Sequence, residues 1–418
     1  MELKAILAGL LATAPLASAH PGHERVHAHA ARPLFGRDLN HCNKRFKEPD
    51  FHKRYVEKNG EEFLRLRRSL GIEPSDSPPI HKRDYLSVSQ IDHKQDKTVT
   101  LDMEPASLFA DAGACILMPS VDQGPLYVLG EEVRKDITEG QAGLKMTLAI
   151  QVVDVDTCEP VPKAYLDIWS SNSTGTYVGV QGYPGMGDPN DAGMLKGTTL
   201  RGLQLTDEDG IATFNTLMPG HYEGRATHIH TIVYLDAVLQ PNNTITGGRA
   251  AHIGQLYFDQ SLIADVEGLT PYNQNTMQIL PNTRDTLFMM GANGDDPILR
   301  YALVGDKLED GLYAWIRYGV RTSNALRVNP AAYWTENGGV MNPTGPVALL
   351  TGGGGGFFGG GGGGGGGGFP GFPGFGGGAF PRMVRRLFGR GDFLVKSISA
   401  TLEERIPCFM PHLYDELQ

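Results

Sequence analysis

Between Leu101 and Leu350 the apolar residues recur with a period of two rather than 3.6, and this restricts the chain to sheet architectures. Met146, Leu148, Ile150 and Val152 alternate with Thr147, Ala149 and Gln151, as a strand with one buried face requires. Further strand-like runs are predicted at Ala164–Trp169, Ile211–Leu217, Thr227–Leu235 and Leu312–Val320. Turn chemistry separates them at Asp156-Thr157, at Asp207-Glu208-Asp209-Gly210 and at Pro219-Gly220. No long helical period intervenes, which fits one all-β unit, a β-sandwich with irregular loops, better than a βαβ fold.

The flanks of this unit have different compositions. Lys4, the apolar run Ala5–Leu16 and the small residues Ala17-Ser18-Ala19 form the pattern of a secretory signal over residues 1–19. That run is too short to span a bilayer, and no later stretch reaches the ~18 apolar residues of a membrane helix. An exported, extracellular protein is therefore expected. Residues 20–100 form a charged leader, in which residues 20–83 hold 14 Lys/Arg against 9 Asp/Glu. Its dibasic pairs Lys44-Arg45, Lys53-Arg54 and Lys82-Arg83 fit either a prosegment or an ordinary charged helix, and Glu61–Leu70 is a short amphipathic helical stretch. Residues 351–381 are almost entirely Gly, Phe and Pro, a composition that cannot bury a core and predicts disorder; residues 382–418 form a C-terminal tail.

With a formal charge of −10 overall and a basic leader, the excess of acid falls on the middle of the chain. That sign argues against nucleic acid as a partner. Export would place Cys42, Cys115, Cys158 and Cys408 where pairing is permitted. Of the three connectivities, Cys115–Cys158 is favoured, because both flank the same run of predicted strands. Two glycosylation sequons occur, at Asn172-Ser173-Thr174 and Asn242-Asn243-Thr244, the second in the more open loop.

The sharpest chemical signal is Arg225-Ala226-Thr227-His228-Ile229-His230. On a strand, residues two apart share a face, so His228 and His230 can present two imidazoles to one metal ion. Tyr222 lies six residues upstream, after a Pro-Gly turn, and Tyr177 ends the turn that follows the strand bearing Trp169. Phenolate is a hard anionic donor, and two phenolates with two neutral imidazoles favour a trivalent ion such as Fe(III). Taken singly, the two tyrosines read better as half-buried sandwich aromatics and the His-x-His pair as incidental. His221 and His252 are assigned to structure or surface.

Taken together, the motifs resemble the intradiol ring-cleavage dioxygenases, in particular their secreted fungal branch, a family related to catechol 1,2-dioxygenase and protocatechuate 3,4-dioxygenase. The matching residues are Gly124-Pro125-Leu126-Tyr127, Leu166-Asp167-Ile168-Trp169, Gly175-Thr176-Tyr177 and Arg201-Gly202-Leu203-Gln204-Leu205-Thr206-Asp207 with Gly210 and Phe214. Pro219-Gly220-His221-Tyr222, Arg225-x-x-His228-Ile229-His230 and Gly254-Gln255-Leu256-Tyr257-Phe258 complete the series, in order, over about half the chain. The resemblance implies a β-sandwich holding non-haem Fe(III) on Tyr177, Tyr222, His228 and His230, with Arg225 and Gln255 beside the substrate. Two departures are visible: Tyr222 and His228 are closer together than in the bacterial enzymes, and Val178-Gly179 stands where the branch has Ser-Gly. Neither removes a ligand.

The activity so implied is cleavage of a catechol-type ring by O₂ between its two hydroxylated carbons, giving a muconate-type dicarboxylic acid. In that account the metal is a Lewis acid, Tyr222 doubles as a general base, and Arg225 stabilises developing negative charge. Three alternatives stand beside it. One is a catalytically inactive secreted sandwich that binds aromatic ligands or metal. Another is a zinc hydrolase on His-x-His, which lacks the nearby helical Glu. The third is copper capture by His20, His23, His27 and His29 once the signal is removed.

Overall fold

The computed structural model describes residues 39–71, 93–94, 114–116, 123–181, 193–292 and 296–351. The signal sequence, the sequence after residue 351 and the pair Lys82-Arg83 lie outside the described residues.

Two sheets pack face to face. The first runs β1 (Ala114–Ile116), β10 (Leu312–Val320), β3 (Lys145–Asp154), β6 (Ile211–Leu217), with β9 (Arg300–Leu303) also on β10. The second is antiparallel throughout, in the order β5 (Arg201–Leu205), β4 (Tyr165–Trp169), β7 (His228–Leu239), β8 (Ile245–Tyr257). A small third sheet orders β12 (Gly338–Met341), β11 (Ala332–Thr335) and β2 (Val128–Leu129). The expected all-β sandwich is thus what forms.

Alternation decides which side chains fill the space between the sheets. Met146, Leu148, Ile150 and Val152 of β3 meet Leu166 and Ile168 of β4 and Ile229 and Val233 of β7 in one buried cluster. Each such side chain contributes roughly 1.5–3 kcal/mol on burial. The outward faces are covered as well, which period-two alternation alone did not predict. On the first sheet, Ala149, Ile211, Tyr313 and Trp315 pack under Tyr55, Val56 and Phe63 of a 22-residue helix, α2 (Pro49–Leu70), which follows a short helix α1 (Asn43–Phe46). On the second sheet, Tyr165, Trp169, Ile232 and Tyr234 pack under Leu126, Tyr127, Val128 and Ala332 of the third layer.

Helix α2 is longer than the stretch Glu61–Leu70 read from sequence. Pro49 opens it where a missing N–H costs nothing, and Gly71, at φ 68°, closes it by donating its N–H to Arg67 and Arg68 carbonyls. Its buried face includes Asn59 and Gly60, which break the apolar period. Asn59 is satisfied there, donating to the Tyr55 carbonyl at 2.9 Å and accepting from the Tyr313 hydroxyl at 3.0 Å. The basic leader meets acidic partners on the sandwich: Arg54 pairs with Asp209 at 2.7 Å, Lys58 with Asp207 at 2.8 Å and with Asp209, and Arg45 with Glu159 at 2.7 Å. Arg317, buried on β10, lies 4.2 Å from the Tyr55 ring centre, with Phe46 and Phe51 also around it.

The disulfide corrects the expectation. Cys158 pairs with Cys42 of the leader, not with Cys115, across a Cα–Cα distance of 5.3 Å. Strand β10 lies between β1, which carries Cys115, and β3, so Cys115 is two strand spacings, roughly 9.5 Å, away from β3. That exceeds the reach of a disulfide. The bridge that forms encloses a separation of 116 residues, and by chain entropy such a link contributes about 4–5 kcal/mol.

Candidate metal centre

The two histidines lie at the start of β7, on the face turned away from the aliphatic core. Register aligns Trp169 of β4, His230 of β7 and Gln255 of β8 in one row, and His228 opposite Tyr257. The Trp169 indole stacks on the His230 ring at 4.8 Å with 2° between planes. From the other side, Gly124 approaches so closely that a Cβ there would stand 3.0 Å from His230 Cε1. The imidazole is therefore held in a slot.

Two interlocked loops bring in the phenols. Asn172 Oδ1 accepts the backbone N–H of Thr174 at 3.0 Å and of Thr176 at 2.9 Å, curling the segment that ends in Tyr177. Gly175 sits at φ 80°, and a Cβ on it would meet the His221 carbonyl at 2.1 Å, so no other residue fits the turn. The second loop is tied to the first through Gly220 N–H to the Asn172 carbonyl at 3.0 Å and Ser171 Oγ to the Gly220 carbonyl at 2.7 Å. His221 is buried and structural, bridging Glu267 at 2.7 Å and the Met277 carbonyl at 2.8 Å. His252 lies in the sandwich interior against Tyr318, with rings 5.5 Å apart.

The structure brings Tyr177, Tyr222, His228 and His230 to one point. His228 Nε2 and His230 Nε2 lie 2.9 Å apart, and the Tyr222 hydroxyl is 3.3 Å from His228 Nε2. The Tyr177 ring stands edge-on to Tyr222 at 5.6 Å and to His230 at 6.3 Å. His228 Nδ1 donates to the Ala226 carbonyl at 2.6 Å, which leaves the Nε2 lone pair facing its neighbour. Burial, followed by the Arg225 charge, pushes the His228 imidazolium down to about 3. Burial and then His228 push His230 down likewise, so both rings are neutral. Burial, then the neighbouring Tyr222, drives the Tyr177 phenol well above its usual range. The Tyr177 hydroxyl makes no hydrogen bond among the described residues, though wholly buried.

Two imidazole nitrogens 2.9 Å apart beside a buried phenol that has no hydrogen bond among the described residues make an arrangement that protein groups alone leave partly unsatisfied. A cation resolves it, since it accepts both nitrogens and favours ionised phenols, reversing the effect of burial. Two phenolic oxygens suit a hard, highly charged ion, so the four donors fit Fe(III).

Beside the donors, Arg225 forms a fixed network. Its Nε donates to Asp285 Oδ2 at 2.8 Å, and its Nη2 donates to Gln255 Oε1 and to the Tyr257 hydroxyl at 3.1 Å. Tyr257 in turn donates to Gln255 Oε1 at 2.7 Å. Arg225 and Gln255 are therefore adjacent, with both the ion pair to a carboxylate and the position near the ligands realised at once. The six-residue spacing from Tyr222 to His228 is taken up by one tight turn, with Gly224 at φ 84°. Two participants escaped sequence reasoning. Asp285 precedes a short helix, α4 (Thr286–Ala292), the helix α3 (Gln260–Glu267) lying before it, and the Asp-Thr-Leu-Phe pattern is the start signal that would have drawn attention to it. Arg201, buried, lies 5.7 Å from the Tyr177 ring centre and 4.0 Å from buried Glu131, whose carboxyl burial pushes up to about 7.

Residues 123–259 match the family described as "Dioxygenase". Among solved structures, an intradiol ring-cleavage dioxygenase from Tetranychus urticae is 29% identical over 51% of this chain and 98% of its own, with a TM-score of 0.43. Catechol 1,2-dioxygenase from Pseudomonas arvilla C-1 is 19% identical over 50% of this chain and 64% of its own, with a TM-score of 0.31. The motifs that carry the resemblance read from the sequence, Gly124 to Phe258, all lie within the region matched by that dioxygenase family, residues 123–259.

Proposed function

We propose that this chain is an exported non-haem Fe(III) dioxygenase that cleaves a catechol-type ring between its two hydroxylated carbons, yielding a muconate-type dicarboxylic acid. The observation that carries the reading is the convergence of Tyr177, Tyr222, His228 and His230, with the two Nε2 atoms 2.9 Å apart. Fe(III) held by these four would supply Lewis acidity to a bound diolate, making it reactive toward O₂.

The protein groups divide the remaining work. Tyr177 is 0% exposed and locked in its turn, whereas Tyr222 is 8% exposed and follows a Pro-Gly bend. Tyr222, ionised by a bound cation, would thus be the phenolate better placed to take a proton from the incoming diol. Arg225, held beside Gln255 and Tyr257, keeps a permanent cation next to the four donors, where it would stabilise developing negative charge. The stack of Trp169 on His230 and the closeness of Gly124 exclude water behind the imidazole. Export is supported by the Lys4–Ala19 pattern and fits the Cys42–Cys158 bridge.

Oxygen uptake by the iron-loaded protein with a panel of catechols, followed by product identification, tests the reading. Ring opening between the hydroxylated carbons, with a visible tyrosinate-to-iron absorption band, is the expected result. A product cut outside the diol would overturn the intradiol assignment. A colourless protein that gains nothing from added iron would instead favour the non-catalytic binding sandwich.

A further inference from the structure

Asp285 lies 26 residues beyond the last residue of the family match, in an irregular segment between β8 and β9. Its carboxylate is buried and accepts four hydrogen bonds. Oδ1 takes the backbone N–H groups of Leu287 at 2.8 Å and Phe288 at 3.0 Å, the open first turn of α4. Oδ2 takes the Ala226 N–H at 2.8 Å and the Arg225 Nε at 2.8 Å. One half of the carboxylate is thus anchored in α4 and the other half grips the segment Arg225-Ala226 that leads into the two histidines. Phe288 fixes α4 in turn, its ring edge-on to Tyr257 at 5.1 Å, and Tyr257 is the same residue that hydrogen-bonds Arg225 and Gln255.

We infer that Asp285 is a positioning residue, which holds the Arg225 guanidinium edge-on so that its far nitrogens face the substrate space beside Gln255. A guanidinium has a planar fork, so fixing Nε fixes the direction of both terminal nitrogens, where a lysine would be free to swing. Without Asp285, two side-chain hydrogen bonds of Arg225 remain among the described residues, to Gln255 and Tyr257, and both fall on Nη2. The side chain can then rotate about that one nitrogen. The effect on turnover rests on the ring-cleavage reading above; the effect on Arg225 itself does not.

The test compares the full chain with Asp285→Asn, Arg225→Met and the double variant, with Asp285→Ala as a second truncation. Expected for Asp285→Asn is a wild-type visible iron band, showing the metal ligands in place, with kcat lowered about 10–100-fold, the range for losing a group that orients a site residue, and KM moved less. The double variant should be no slower than Arg225→Met alone, because Asp285 acts through Arg225. In ¹⁵N-labelled protein, the Arg225 Nε–H resonance, assigned by its loss in Arg225→Met, should be protected from exchange in the wild type and exposed in both Asp285 variants. Multiplicative losses in the double variant, or a protected Nε–H after Asp285→Asn, would overturn the inference. If the wild type binds iron yet opens no ring while the Nε–H behaves as described, the positioning role holds and the ring-cleavage reading fails instead.

Discussion

The indole of Trp169 and the imidazole of His230 lie stacked, 4.8 Å apart with 2° between their planes, on neighbouring strands whose register puts them directly opposite. The ring proposed to offer a nitrogen to iron is thereby held by an aromatic wall and not through Nδ1, which has no partner among the described residues. Replacing Trp169 by Ala should cost about 3–5 kcal/mol in folding stability, the usual range for a large buried aromatic. Iron affinity should fall by roughly 10–100-fold at the same time. Denaturant unfolding and iron titration measure the two effects separately, and a variant that loses stability but keeps full iron affinity would show the stack to be packing alone.

The buried, unpartnered Tyr177 hydroxyl predicts opposite signs for folding and for metal binding. In metal-free protein, Tyr177→Phe removes an unsatisfied polar group and should raise stability by about 1–3 kcal/mol. In iron-loaded protein the same change removes a ligand and should abolish most of the visible band. Loss of stability in the metal-free variant would mean that the hydroxyl is hydrogen-bonded after all.

Asp209 carries a pH dependence with a definite sign. Burial favours its protonated form, but hydrogen bonds from Lys58 and Arg54 outweigh this and hold the carboxyl below the usual Asp range. A depressed folded-state value contributes stability that is complete above about pH 4, the unfolded Asp value, and disappears as pH falls through the folded one. The protection factors of α2 amides, exchange rates corrected for their intrinsic pH dependence, should therefore be flat down to about that pH and fall below it. In Asp209→Asn the fall in acid should shrink, leaving lower protection at neutral pH.

Cys42→Ser tests how far the leader belongs to the domain. Losing a bridge of this span should lower stability by about 2–5 kcal/mol. Because Cys42 packs with Phe46, Phe51, Val153 and Val155, the loosening should start in α1 and the first turns of α2. Protease nicking at Lys44-Arg45 and Lys53-Arg54, followed by mass, reads it out; unchanged resistance would show the packed helix to be sufficient without the bridge.

Much of this was legible in the sequence, for reasons that differ by element. Strands β4, β6 and β10 were located to within a residue, because Gly, Asp or Pro turns bound them, whereas β3 and β7 run past the stretches read from sequence, β7 to Leu239 rather than Leu235. The donors were legible because two of them share one strand and two close recognisable turns. Strand β8 was read only as a motif around Gln255, since Gly247, Gly248 and Gly254 thin its side-chain pattern. The course of α2 was foreshortened because Asn59 and Gly60 sit on its buried side. Cys42–Cys158 could not be read at all, as it depends on the leader packing against Val153 and Val155 at the end of β3, a contact between segments 116 residues apart at the bridge. Asp285 went unnoticed for a related reason: what it holds is fixed only once β7 and α4 are folded together.

Along β7 the even-numbered positions 228, 230, 232 and 234 face the outer layer, while Ile229, Val233 and Leu235 fill the space between the sheets. Reactivity and cohesion are therefore written on one ribbon in alternate letters, and neither set can drift by one place without exchanging roles with the other. A single-residue deletion ahead of His228 would turn imidazoles into the oil and aliphatic side chains toward the solvent-side layer. Substitutions that keep the frame, by contrast, can recast the wall over the ligands while leaving the interior of the sandwich unaware of the change.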